Sequence, residues 1–275
     1  MDCTGFESLL LEQKLEQQFI SFKPWLPNDR AVALQTQYTN PEEECHPYTK
    51  ATAMDAGWRW TIPVYDRIGN GYCYSSDYIT PEQAEAELRE AVGEYDAPAK
   101  HLEMKCGTHQ AVAHKNVLAV GLAGGFVEPL EATGITFTTS TIRNFAHFIG
   151  MANGEWNDDV RGAINQSFYE MNIEILSFIF GHYFFSNKKG TPYWDNIRSK
   201  TLKDLPDDCI NVFNAYYPYP KPIMFLTRQS MFSSVQWWSM IQAGGGYIDP
   251  EKNTPKEDEY LNYFVESKRR QTELA

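Results

Sequence analysis

Apolar and polar positions along this chain follow two periods, and the change falls near the middle. Before about residue 137 the patterns are short and mostly of strand type; from Thr138 onward they are helical. Glu7 to Phe19 places Leu11, Leu15 and Phe19 on one stripe, which predicts a short amphipathic helix closed by Pro24 and Pro27. Ala31 to Tyr38 alternates, with Val32, Leu34, Thr36 and Tyr38 on one face, and predicts a strand. Asn40 to Tyr48 reads as a polar loop. Gly57 to Val64 predicts a strand whose Trp58, Trp60 and Ile62 share a face, and the turn at Arg67 to Gly71 makes residues 57–76 a hairpin. Thr80-Pro81-Glu82-Gln83 begins a helix with a threonine cap, an early proline and a glutamine that closes a capping box; Gly93 ends it. Glu103 to Cys106 reads as one more strand.

Val117 to Leu122 is an apolar run of the kind a buried strand uses. Gly124 and Gly125 break it, in a small-residue turn where backbone can approach a ligand. Pro129 fixes the chain direction, and after Thr133 and Gly134 the helical pattern begins, marked by Ile142, Phe145 and Phe148 or Ile149. The order is strand, glycine turn, helix start. Free N–H groups at a helix start are suited to an anion. Two carboxylates, Glu128 and Glu131, occupy the same turn, and such electrostatic tension clusters at functional sites. The same residues equally fit a capped helix after a core strand, with solvated glutamates.

Asp158 to Phe185 repeats apolar residues at Val160, Ile164, Phe168, Met171, Ile175 and Phe178, which predicts a long helix. Asp204 to Met224 is rich in proline and tyrosine and reads as irregular. Ser233 to Ala243 is a short helix with Trp237 and Trp238, and Glu257 to Lys268 a last one, where Lys268-Arg269-Arg270 complements the helix dipole. The period change suggests a division at 1–137 and 138–275, a sheet-containing part and a mostly helical part, together an α+β arrangement.

With 275 residues, 43% of them hydrophobic, the chain can bury a large core in one or two domains. A net charge of −12 argues against nucleic acid or an anionic membrane surface as partner. No stretch approaches the roughly 20 apolar residues of a membrane span. Five scattered cysteines and no charged leader make a reduced cytoplasm the expected compartment. Cys106, His109 and His114 match no zinc spacing, so no metal is expected. No Gly-x-Ser-x-Gly elbow is present to anchor a hydrolase triad. Seven tryptophans suit an aromatic-lined pocket, although most such rings are core.

Glu128-Pro129-Leu130-Glu131-Ala132-Thr133-Gly134 closely resembles the flavin-turn signature of the flavin-dependent tryptophan halogenase family. Gly57-Trp58-Arg59-Trp60-Thr61-Ile62-Pro63 resembles its Trp-x-Trp-x-Ile-Pro motif. Asp2-Cys3-Thr4-Gly5-Phe6, and His182-Tyr183-Phe184 followed by Thr191-Pro192-Tyr193-Trp194, are similar to two further pieces, and all four come in the family's order. The resemblance implies part of an FAD/NAD(P)-binding-type flavin monooxygenase fold, and an enzyme in which FADH2, supplied by a flavin reductase, and oxygen convert halide to hypohalous acid that halogenates an aromatic ring. It implies Glu131 as the catalytic glutamate, the amides of Thr133 and Gly134 as the halide site, and Leu122 and Ile135 as flavin walls. It also implies that Trp58, Trp60, Ile62 and Pro63 lie near the passage from flavin to substrate. From pattern alone those rings fit core equally.

The Gly-x-Gly-x-x-Gly fingerprint that holds a dinucleotide pyrophosphate is not found, so the expectation is the C-terminal part of a longer enzyme. The family's tunnel lysine has no counterpart, and Ala132 replaces its usual serine. Its tryptophan-clamping segment has no clear match around Phe213 to Ser234, which leaves an indole or a phenol as substrate. Trp237 and Trp238 are candidates for that pocket, with core packing as the competing reading. A homodimer is one arrangement the resemblance allows. A flavin hydroxylase that never uses halide, or a non-catalytic remnant, are the other readings.

Overall fold

The structure, a computed structural model, describes residues 1–93, 96–216 and 231–243. In chain order its strands are β1 (Phe19–Ser21), β2 (Arg30–Thr36), β3 (Lys50–Met54), β4 (Gly57–Pro63), β5 (Ile68–Tyr74), β6 (Lys100–Glu103), β7 (Gly107–His109), β8 (Ala113–His114), β9 (Val117–Leu118) and β10 (Gly125–Phe126). The α-helices are α1 (Pro41–Glu44), α2 (Pro81–Ala91), α3 (Gly134–Met151), α4 (Asp158–Phe184), α5 (Pro192–Ser199), α6 (Asp207–Tyr216) and α7 (Ser234–Ala243). This is the α+β organisation expected.

The main sheet has the order β3-β4-β5-β2-β6, and every neighbouring pair is antiparallel. Period two sorts its side chains between two cores. Val32, Leu34, Met54, Tyr72 and Tyr74 join Ala84 and Leu88 of α2 in one buried cluster. Ala31, Trp58 and Cys73 point the other way, into a larger cluster that runs from Leu11 to Ile241 and takes in the helices. The α2 start is built as its sequence predicts: Gln83 N donates to Thr80 Oγ1, and Thr80 N donates to Gln83 Oε1.

Helix α4 is the axis of the helical part. The Asn157 side chain caps it, accepting from Val160 N at 3.0 Å. Its first half buries the expected stripe, Val160, Ile164 and Phe168. From Asn172 to Gly181 every residue is buried, because α3, α5, α6 and α7 all pack around that half.

Several local expectations are corrected. The hairpin turn lies at 64–67, not Arg67 to Gly71, because Pro63 pairs with Ile68. Glu103 to Cys106 is not a strand: β6 ends at Glu103 and β7 begins at Gly107. The loop Asn40 to Tyr48 contains the short helix α1. Residues 7–19 are not one α-helix: a π-helical segment, Leu9–Lys14, follows a 3-10 turn, and Phe19 pairs with His109 in β1. Its cause is the Asp2 carboxylate, which accepts from both Leu10 N and Leu11 N at 2.9 Å and fixes the start. Val117 to Leu122 is buried at Leu118, Ala119 and Val120, but only Val117–Leu118 is strand. Asp2 takes over the pairing beyond it: Asp2 N donates to Leu118 O at 2.8 Å, and Val120 N donates to Asp2 O at 2.9 Å. The irregular stretch from Asp204 contains α6, because Cys209 and Phe213 are buried against the helical core. Residues 257–270, with the expected last helix and basic run, lie outside the described residues.

Candidate active site

The turn between β10 and α3 is built in three steps. Pro129–Glu131 form a single 3-10 turn, with Pro129 at its first position. Ala132 then takes the left-handed conformation, φ 51° and ψ 33°, and its N–H donates to Pro129 O at 3.0 Å. An L-residue there costs roughly 1–2 kcal/mol. The reversal sets Thr133 before the first helical residue, Gly134. Thr133 O accepts from Phe137 N at 2.8 Å, which begins the helical ladder. Neither the Thr133 nor the Gly134 N–H donates to a protein acceptor among the described residues. Thr133 is buried and Gly134 exposed.

Four of the expected residues line one cavity of about 310 Å³: Leu122, Thr133, Gly134 and Ile135. Phe126, Val127 and Phe137 also line it. A Cβ built on Gly134 would meet nothing within 4 Å. Packing of the chain therefore does not require glycine there, and the space beside its amide is open. Ile135 is 81% exposed and Leu122 41%, two apolar side chains left without cover beside the cavity.

The two glutamates end in different surroundings, and the reading of both as solvated is wrong for Glu128. Its side chain is fully buried. The Trp58 indole donates to Glu128 Oε1 at 3.1 Å, and the Tyr183 hydroxyl donates to the same oxygen. Behind Tyr183, Asn28 Nδ2 donates to the Tyr183 hydroxyl at 2.8 Å, and the Tyr193 hydroxyl donates to Asn28 Oδ1 at 2.9 Å. Glu128 Oε2 has no partner among the described residues. Burial raises the Glu128 carboxyl to about 7, against the hydrogen bonds from Tyr183 and Trp58 that favour its charged form. Burial likewise raises the Tyr183 and Tyr193 phenols well above their usual value, which keeps both protonated as donors.

Glu131 is half-buried. His182 Nε2 lies 2.8 Å from its Oε1. That is ion-pair distance, but the ring nitrogen is out of line for a hydrogen bond.

The motifs that lie far apart in sequence therefore meet at one turn. Trp58 of the tryptophan strand and Tyr183 of α4 hold Glu128; Tyr193 at the start of α5 closes the chain of hydroxyls. Trp60 leans on Trp58, with ring centroids 6.0 Å apart, and stands over Gly71. Ile62 is exposed and Pro63 ends β4. Trp237 is buried among Phe178 and Phe213, at centroid distances of 5.0 and 5.3 Å. The side chain of Trp238 lies outside the described residues. Cys106 Sγ donates to Asn28 O at 3.4 Å, and His109 bridges Glu12 and Gly124 O at 3.0 and 3.1 Å.

Sequence reading assigned no role to Asn28, His182, Tyr183 or Tyr193. His182 and Tyr183 are consecutive, inside a run that period alone assigns to core. The available signal, for His182 and Tyr183, was polar atoms within an otherwise apolar helical run, since buried polar groups need partners.

The scaffold is shared with flavin halogenases. The structure of BrvH, a flavin-dependent halogenase from Brevundimonas sp. BAL3, superposes with a TM-score of 0.80 at 26% identity, over 98% of this chain and 54% of that one. The tryptophan halogenase family profile matches residues 1–259. Tryptophan 6-halogenase SttH of Streptomyces toxytricini is 39% identical over 80% of this chain and 44% of its own. The 7-chloro-L-tryptophan 6-halogenase KtzR of Kutzneria sp. (strain 744) is 40% identical over 74% and 40% respectively. The chain belongs to the tryptophan halogenase family, and it spans less than half the length of these two relatives.

Proposed function

We propose that the protein carrying this chain halogenates an aromatic ring, an indole or a phenol, by electrophilic substitution. Tryptophan, which names the relatives, is the first substrate to try. The observation that carries the reading is the pair of undonated amides of Thr133 and Gly134, two residues that line the cavity just beyond Glu131 and Ala132. A halide fits that position: it needs donors and no acceptor, at the positive end of α3. FAD fits the same cavity by one edge. Leu122 and Ile135 offer apolar walls without cover, while no glycine fingerprint in the chain would hold the pyrophosphate.

Bound as FADH2 from a reductase, the flavin would supply, with oxygen, the oxidising power that turns halide into hypohalous acid. This chain's residues do the rest. The amides hold the anion, and the apolar walls keep water from the oxidant. At the ring, a carbon–halogen bond forms as the halogen–oxygen bond breaks with its electrons to oxygen. The ring C–H bond then breaks, its electrons return to the ring, and Glu131 takes the proton or orients the halogenating species for that step. Five free cysteines suit a reduced cytoplasm, where a flavin reductase also works.

The test is Glu131→Gln in the protein with reduced FAD, halide and an indole panel. Halogenation falls by about 100-fold or more while flavin stays bound. Unchanged turnover would take Glu131 out of the reaction.

A further inference from the structure

The two glutamates of the turn are three residues apart, and two consecutive residues of α4 reach them. Tyr183 donates to Glu128, and His182 faces Glu131. The first contact is fully buried and neutral on the tyrosine side. The second differs in kind. His182 Nε2 is a buried atom with no aligned hydrogen bond, yet a carboxylate oxygen stands 2.8 Å away. The separation is that of a hydrogen bond, and only the alignment is missing. The imidazole cannot easily swing away. Phe178 presses against it edge to face, 5.1 Å between centroids at 87°, and its backbone is fixed where the Tyr183 hydroxyl anchors α4 to Glu128. The Glu131 side chain has 30% of its surface exposed and that of His182 28%, so the pair opens to solvent on one side while Nε2 itself is covered.

We infer that His182 is a positioning residue for Glu131: as the half-exposed Glu131 carboxylate settles on the substrate, one of its oxygens, already 2.8 Å from Nε2, comes into line with the Nε2–H and the other is directed to the reacting ring. Tyr183 and Glu128 set the register of that contact. The inference rests on the proposed role of Glu131 and adds the group that aims it. Such partners orient a working side chain without touching substrate. A misplacement of about 1 Å is enough to cost around 100-fold in rate.

The experiment compares His182→Leu, which removes the donor, with His182→Gln, which returns an N–H at similar reach. His182→Leu should lower kcat about 100-fold with KM for the aromatic substrate changed less than about threefold. His182→Gln should recover at least about tenfold of that loss. Wild-type kcat in His182→Leu, or equal loss in both variants, would overturn the inference. A readout independent of activity separates it from the halogenase reading: the 15N resonance of His182 Nε2 should move in Glu131→Gln. If it does not move, the pair is absent, whatever the activity. If it moves while Glu131→Gln turns over normally, the pair stands, and both Glu131's role in catalysis and the aiming role of His182 are rejected.

Discussion

In the five-stranded sheet, Arg30 to Thr36 run in register against Tyr74 to Ile68, and the side chains divide by period two between two apolar clusters. In the turn from Glu128 to Gly134, a carboxylate is buried with one oxygen unpartnered, an alanine is left-handed, and two amides donate to no protein group among the described residues. Each region buries part of its residues, Tyr72 and Cys73 in the sheet and Glu128 and Thr133 in the turn, while Ala132 and Gly134 are exposed. The regions differ in what covers them: apolar side chains over the sheet, polar donors from distant elements over the turn. Stability accumulates in the first region, and the unsatisfied and strained groups stand in the second, where a ligand and a reaction would use them.

The largest expected effect breaks the comparison at Glu128. Its carboxyl is raised from 4.5 to about 7, so folding favours the protonated acid. The contribution to stability is fully present below about pH 4.5 and is lost as pH rises through about 7. Denaturant unfolding of the wild type against Glu128→Gln, from pH 5 to pH 9, should show the wild type losing roughly 3 kcal/mol relative to the variant. Parallel curves would mean that Glu128 is ionised throughout.

A smaller effect tests the sheet. A Cβ on Gly71 would lie 1.8 Å from Trp60 Cζ2, on the strand paired opposite. Gly71→Ala must displace that ring, and Trp60 rests against Trp58, which holds Glu128. The cost should be about 1–3 kcal/mol in urea unfolding, with a shift in tryptophan fluorescence. Loss of stability without a fluorescence change would separate the sheet from the turn.

The smallest effect sharpens the contrast. Gly134→Ala adds a methyl group in open space at a helix start, so thermal unfolding should change by less than about 1 kcal/mol. The same methyl group stands beside the proposed anion position. Bromide NMR line broadening by the protein should therefore weaken in this variant. Undiminished broadening would move the halide away from these amides.

Much of the sheet was legible because its rule is local. Alternation placed Val32 and Leu34, and the Thr80 capping box was visible in four residues; the hairpin was foreseen, but its turn lies at 64–67 and not at Arg67 to Gly71, so the pairing of Trp58 with Cys73 was not. The helix start at Gly134 was legible for the same reason. The N-terminal segment was misread because its period suits an α-helix, while the Asp2 carboxylate and the pairing of β1 with β7 impose another path. Nothing near Glu128 in the chain shows that it is buried, because its partners come from residues 58 and 183, the second held by residue 28.

By itself, then, the sequence determined the family, through motifs whose order and spacing are covalent facts, and it determined the elements whose hydrogen bonds close within a few residues. Only the tertiary structure decided which glutamate is buried and which half-open, that the Thr133 and Gly134 amides stay undonated, and that His182 and Tyr183 serve different members of one turn. These are properties of desolvation and distance. They depend on side chains converging from elements far apart in the chain, and no local pattern carries that information.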